Sequence, residues 1–280
     1  NSTITVAVKD DSSDNNFDPV ADQTVSVSTV DNDTAGFTIT ETGGSTAVAE
    51  TGTTDTFAVV LTAQPSSDVV LSITSGDTGE AVVNGSTASN NILTFTSGNW
   101  NTPQSFTVTG VDDNLVDGTI TSTLTVAVVD ALSEDSFDAV ADQTVSATTT
   151  DNDTAGFTIT ETGGSTAVAE TGTTDTFAVV LTAQPTSDVV ITITSSDTGE
   201  ATVNSPLTFT PANWNSAQTV TVTGVDDNII DGTITSTITI AVDDANSDND
   251  FDALADQTVS ATTTDNDTAG FTIVQSGGST

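Results

Sequence analysis

The chain contains no cysteine, histidine, methionine or tyrosine, and its 280 residues include a single lysine or arginine. Without cysteine no disulfide can staple the fold. Without histidine or cysteine a Ser-His-Asp triad and a Cys-His pair are both excluded within this stretch, and zinc and copper lose their usual ligands. One base stands against 40 Asp and Glu, for a formal net charge of −39. That surface repels phosphate, which argues against nucleic acid and anionic membrane as partners. No apolar run approaches the roughly 18 residues of a membrane span. Aromatics make up only 5% of the chain. Acidity with few aromatics is a composition that also suits disorder. Against disorder stands what the chain does contain, a strand-like alternation that recurs copy by copy.

Asp-Asn-Asp-Thr-Ala-Gly-Phe is written three times, at Asp31 to Phe37, Asp151 to Phe157 and Asp265 to Phe271. The spacing, 120 residues and then 114, is that of whole domains in tandem rather than of a short-repeat solenoid. The shortfall is local: Gly85 to Ile92 in one copy is replaced by Ser205-Pro206 in the other, which predicts a surface loop. The chain opens inside a repeat and closes just after another begins. The expected division is therefore 1–33 as the end of one repeat, 34–153 and 154–267 as full repeats, and 268–280 as the start of a further one.

In the second full copy, Thr176 to Thr182 places Phe177, Val179 and Leu181 on one face. Segments 189–194, 207–210, 219–223 and 234–240 alternate likewise, with threonine on the wet face, and 156–160 and 258–262 complete the set. Seven such strands with turn-rich spacers and no helical period predict an all-β chain of tandem seven-stranded immunoglobulin-like β-sandwiches joined end to end.

If each strand runs antiparallel to the one before, the first, third, fifth and seventh all end at one pole. The connections at that pole hold Glu170, then Asp197 and Glu200, then Asp226, Asp227 and Asp231, and finally Asp265 and Asp267. The first copy repeats the set as Glu50, Asp77, Glu80, Asp112, Asp113, Asp117, Asp151 and Asp153, and the N-terminal piece ends on Asp31 and Asp33. So many carboxylates at one tip repel one another unless a cation neutralises them. Ca²⁺ takes about six to eight oxygen ligands in a forgiving geometry, whereas Mg²⁺ demands a stricter octahedron. Scattered solubilising charge, the plain alternative, would not fall on one end. A second acidic loop before the last strand, with Asp248, Asp250 and Asp252, alternates oxygen side chains as calcium loops do. It should face the preceding joint.

Adjacent Asp112 and Asp113 could in principle serve a glycosidase, but neighbours on a strand end point apart and a sugar platform is lacking, so no enzyme is expected. Trp100 and Trp214 are read as plugs at the opposite end of each sandwich.

These residues resemble bacterial Calx-beta-type repeats. The likeness lies in Ala169-Glu170, Phe177 to Pro185, Leu207-x-Phe209-x-Pro211, Val225-Asp226-Asp227 and Asp265-Asn266-Asp267, and it covers both full copies and the partial ones. Similar repeats, including Asn213-Trp214-Asn215 and Val225 to Gly232, occur in giant bacterial surface proteins. The resemblance implies a β-sandwich that binds several calcium ions at its distal tip, with ligands at Glu170, Asp197, Asp226, Asp227, Asp265 and Asp267. The family's later Glu pair is replaced here by Asp231 and Gly232, which bears on the number of ions. Two functions are then open. One is a calcium-stiffened filament, stalk or giant adhesin shaft outside the cell, whose partners are calcium and neighbouring repeats or further copies in a homopolymer. The other is an adhesive module gripping a ligand or glycan. Glu161 to Pro185 repeats Glu41 to Pro65 without a change, which favours the shaft, because binding specialisation usually diversifies surface loops.

Overall fold

The structure is a computed structural model that describes residues 2–85, 91–274 and 276–277. It is all-β, and two successive stretches each fold as a sandwich of one four-stranded and one five-stranded sheet. In the second, Phe157–Glu161, Thr174–Leu181, Gln218–Gly224 and Ala201–Val203 lie side by side in that order. The facing sheet runs Thr166–Ala169, Gln257–Thr264, Ile234–Val242, Val189–Ser195 and Leu207–Phe209. The first sandwich has the same order, from Phe37–Glu41 to Ala81–Gly85 in one sheet and from Thr46–Ala49 to Ile92–Phe95 in the other.

The alternating pattern explains the layers. Along Gln257–Thr264 the inward side chains Val259, Ala261 and Thr263 are buried, and along Ile234–Val242 so are Ser236, Ile238 and Ile240. Phe177, Phe209 and Phe251 fill the middle with no exposed surface, matched by Phe57, Phe95, Phe106 and Phe137 in the first sandwich. Each such ring contributes about 1.5–3 kcal/mol relative to exposure. Trp100 and Trp214 pack half-buried against the two cores, as plugs should.

Each sandwich has two short strands beyond the seven expected, and both arise from the chain changing sheets. After Phe157–Glu161 the chain turns through Gly163 and Gly164, at φ 73° and 82°, and Thr166–Ala169 joins the opposite sheet in parallel with Gln257–Thr264. Such φ values suit only glycine at low cost. Likewise Ala201–Val203 pairs with Gln218–Gly224, and the next strand, Leu207–Phe209, pairs in the other sheet. Runs of three or four residues such as Ala-Thr-Val carry too little alternation to register as strands in sequence. The 120-to-114 insertion lies mostly at residues 86–90, outside the described residues.

The added strands leave the polarity intact. Thr166–Ala169 and Val189–Ser195 run the same way as Gln257–Thr264, because one pairs with it in parallel and the other through the intervening antiparallel Ile234–Val242. The fourth strand end, Gly224, meets Ala169 so closely that a Cβ there would collide with the Ala169 carbonyl oxygen, as at Gly110 against Ala49. All four ends converge on one pole. Before the first sandwich, Ser2–Val6 and Gln23–Val27 form a hairpin that matches its last two strands.

Candidate metal centre at the sandwich tip

Where the strand Thr166–Ala169 ends, the Glu170 amide donates to the Thr264 carbonyl at 3.1 Å, which turns the Glu170 side chain in under the tip. That side chain is 1% exposed. Its Oε2 accepts the Asn266 amide at 3.0 Å, and its Oε1 is buried with no hydrogen-bond partner. Glu200 closes the turn after Val189–Ser195. Its carbonyl accepts from the Val225 amide at 2.8 Å and the Thr263 hydroxyl at 3.2 Å, while its side chain is 5% exposed with Oε2 unpartnered. Asp265 is shaped by amides, its Oδ2 accepting from Asp231 at 3.1 Å and Gly232 at 2.9 Å. Asp267 buries Oδ2 without a partner.

Two sets of oxygens meet here. Glu170, Glu200 and Asp231 offer carboxylate oxygens within 4.8 Å of one another, and so do Glu170, Asp265 and Asp267. The first sandwich repeats both sets as Glu50, Glu80 and Asp117, and as Glu50, Asp151 and Asp153. The hydrogen bonds repeat as well: Asn152 donates to Glu50 Oε2 at 3.1 Å, and the amides of Asp117 and Gly118 donate to Asp151 Oδ2 at 3.1 and 2.9 Å. Asp117 Oδ1 and Asp153 Oδ2 are buried and unpartnered.

The remaining sequence candidates at the tip sit just outside these sets. Asp77 and Asp197 are exposed and use Oδ1 to accept the Gly79 and Gly199 amides, each at 3.0 Å. Asp112 and Asp226 accept from the side chains of Asn152 and Asn266, at 2.8 and 2.9 Å. Asp113 and Asp227 accept the amides of Leu115 and Ile229, at 2.7 and 2.6 Å. Asp31 is exposed and accepts the Asp33 amide at 3.0 Å, beside a sheet of two strands among the described residues. At the opposite end, Asp248 is 4% exposed and anchors its loop, taking the Thr186 hydroxyl at 2.7 Å and the Ser187 amide at 2.8 Å. Glu134 does the same for Ser66 and Ser67 in the first sandwich. Asp252 Oδ1 is buried without a partner, and the Asp250 charge reaches Asp117 across the joint. Glu80 and Glu200, placed at the tip by strand direction but absent from the ligand set implied by resemblance, are its most enclosed members alongside Glu50 and Glu170. Their signal was the repeated Thr-Gly-Glu-Ala at 78–81 and 198–201, where a charge abuts an inward alanine.

Crowding shows in the proton affinities. Burial, then the charges of Asp117, Glu50, Asp113 and Asp77, pushes Glu80 up to about 7. Burial raises Glu200, Asp117, Asp153 and Asp267 in the same way, each helped by neighbouring carboxylates. Burial also raises Glu50 against the pull of the Asn152 amide, and Glu170 ends above its ordinary value although the Asn266 amide draws it down. Asp265 goes the other way, held low by the Gly232 and Asp267 amides. Buried, unpartnered, mutually repelling oxygens are unfavourable as they stand, and a hard divalent cation satisfies all three conditions at once. The donor set is oxygen only, which suits Ca²⁺ rather than zinc or copper.

No protein-family profile and no curated protein matches this chain. Among solved structures it is similar to "Crystal structure of CBD12 from CALX1.2", at 14% identity, over 72% of this chain and 79% of that one, with a TM-score of 0.30. It is also similar to surface layer protein SbsC, domains 4–9, at 19% identity, over 88% of this chain and 33% of that one, with a TM-score of 0.30. An apo-form Calx CBD1 domain matches at 12% identity, over 40% of this chain and 98% of that one, with a TM-score of 0.27. Likenesses this distant leave the functional reading to the residues of the chain itself. No helix among the described residues is long and apolar enough to cross a membrane.

Proposed function

We propose that this chain is a stretch of a calcium-stiffened structural array, a filament, stalk or adhesin shaft on the outside of a bacterial cell, in which the repeating units are 34–153 and 154–267. The observation that carries the reading is the pair of enclosed glutamates at the second tip. Glu170 Oε1 and Glu200 Oε2 are buried and unpartnered, and both residues lie in one oxygen set with Asp231. Calcium supplies positive charge and a flexible coordination shell there. Glu170, Glu200, Asp231, Asp265 and Asp267 would hold it at the second tip, and Glu50, Glu80, Asp117, Asp151 and Asp153 at the first. Asp112, Asp113, Asp226, Asp227, Asp77 and Asp197 surround these sets and shape the loops.

An ion here would stiffen the array through the connecting segment. Asp151 and Asp153 belong to the connection into the next sandwich, and Phe157 already begins a strand. Drawing these two carboxylates against Glu50 ties the connecting segment to the preceding sandwich. Thr154, Ala155 and Gly156 are left as the whole linker. Adhesive recognition is the weaker reading, since the loops at this pole are nearly the same in both copies.

Isothermal titration of the chelator-treated chain with Ca²⁺ tests the proposal. Saturable binding, lost when Glu50, Glu80, Glu170 and Glu200 are all changed to Gln, is expected. Binding that is absent, or unchanged in that variant, would refute it.

A further inference from the structure

The joint between the sandwiches holds a second fastening that uses no carboxylate. The loop that follows Gln104–Gly110 reaches across to the second sandwich. There the Val116 amide donates to the Gln184 carbonyl at 3.0 Å, and the Gln184 amide donates to the Asn114 carbonyl at 2.6 Å. Leu115 and Gln184 form an isolated parallel bridge. Val116 packs on the second hydrophobic core, and Ala183, the residue before Gln184, is 1% exposed.

The same loop stands ready at the other tip. Asn228, Ile229 and Ile230 take the places of Asn114, Leu115 and Val116. The Ile229 amide donates to Asp227 Oδ1 at 2.6 Å, as the Leu115 amide does to Asp113 Oδ1 at 2.7 Å, so the turn leading into the loop is repeated. Here, however, Ile229 is 61% and Ile230 56% exposed, whereas Leu115 and Val116 are half-buried. Two adjacent branched apolar side chains are thus exposed at a tip otherwise lined by carboxylates.

We infer that Asn228, Ile229 and Ile230 are a docking surface for the Ala-Gln-Pro edge of a sandwich of this same kind, continuing in the same polypeptide. The occupant follows from the molecule's own joint, where the equivalent loop is bonded to Gln184 and Val116 packs on the second core. It follows also from the chain leaving this tip as Thr268-Ala269-Gly270-Phe271, identical to Thr154 to Phe157 leaving the first. Two backbone hydrogen bonds and an apolar contact then fix the rotation of one sandwich on the next. This inference rests on the array reading but not on the cation.

The test uses the chain lengthened by a third sandwich, with a second copy of 154–267 joined directly after Asp267, and follows amide hydrogen exchange in EDTA and in calcium. The Ile230 amide, which has no hydrogen-bond partner among the described residues, should slow about fivefold or more on gaining one hydrogen bond. Ile229→Asp with Ile230→Asp should abolish that protection and leave the Val116 amide as it was. An Ile230 amide that exchanges equally fast in both chains, while Val116 stays protected, overturns the inference. So does concentration-dependent association of the 280-residue chain through Ile229 and Ile230, because it would assign the surface to a second copy. A failure of calcium binding alone would leave these exchange results unchanged, and so separates the two readings.

Discussion

The backbone amide of Asn266 donates to Glu170 Oε2 at 3.0 Å, joining residues that lie on opposite ends of one repeat in sequence. Asn152 and Glu50 repeat the bond at 3.1 Å. Together with the Glu170 and Glu50 amides donating to Thr264 and Thr150, these bonds fasten the outgoing chain of each sandwich to the glutamate that ends its first sheet-crossing strand. They leave the other oxygen of Glu170 facing the tip unpaired.

Changing Glu170 and Glu200 to Gln should therefore stabilise the second sandwich in EDTA and remove its gain in calcium. The parent at a calcium concentration 100 times Kd should gain about 2.7 kcal/mol per site. Thermal unfolding of both chains in EDTA and in calcium measures this. A double variant less stable than the parent in EDTA would show that the carboxylates do not repel as argued.

Without calcium, stability should fall as pH rises from about 4.5 to about 7. A group whose proton is held more tightly in the folded state contributes stability that is fully present below its unfolded value and lost as pH rises through the folded one. For Glu80 that window runs from 4.5 to about 7. Asp265 and Asp248 act oppositely, because both are held below the ordinary 3.8, and their contribution is lost only at more acid pH. With calcium the trend above pH 5 should reverse, since ligation needs the carboxylates ionised. Urea midpoints across pH, with and without EDTA, are the measurement.

Gly224→Ala should destabilise the second sandwich by about 1–3 kcal/mol or more, the cost of an overpacked contact against a backbone that cannot rotate away. It should also weaken calcium binding there, because the Ala169 carbonyl it strikes belongs to the residue before Glu170. Thermal melts and titration of the variant would show both losses, and an unchanged melt would mean the two strand ends are further apart than described.

Asp227→Asn with Asp265→Asn should abolish tight binding at the second tip. Asp265 positions the amides of Asp231 and Gly232, and Asp227 holds the Ile229 amide. Asp250→Asn with Asp252→Asn should spare that tip and change only the joint, where the Asp250 charge acts on Asp117. Calorimetric titration separates the two variants, and loss of the second-tip site in the loop variant would contradict the placement of Asp250 and Asp252 at the opposite end.

In calcium the two sandwiches should scatter as a rod of fixed maximum dimension. In EDTA the clasp of Val116 on Gln184 remains, so the joint should loosen only in part, and Leu115→Asp with Val116→Asp in EDTA should free it fully. Small-angle scattering of the three states would settle the order. Equal profiles in all three would mean that neither fastening governs the joint.

Much of this was legible in the residues alone. Alternation of period two marks a half-buried strand whatever surrounds it, so Phe177, Val179 and Leu181, or Ile238 and Ile240, declare their inward face directly. The direction of successive strands then places Glu170, Glu200, Asp231, Asp265 and Asp267 at one pole, because antiparallel succession is a counting rule that needs no distances. Other features needed the tertiary structure. Thr166–Ala169 and Ala201–Val203 are strands only because a partner edge is there to receive their amides. Which carboxylates are enclosed was likewise undecidable, since Asp197 and Glu200 are three residues apart in one turn and only the closing of the two sheets buries Glu200 while leaving Asp197 in water. The clasp is the clearest case: Leu115-Val116 and Ile229-Ile230 are alike in sequence, and their different exposure comes from whether a neighbouring sandwich stands against them. Burial is a property of what lies across the gap, and no local pattern encodes that.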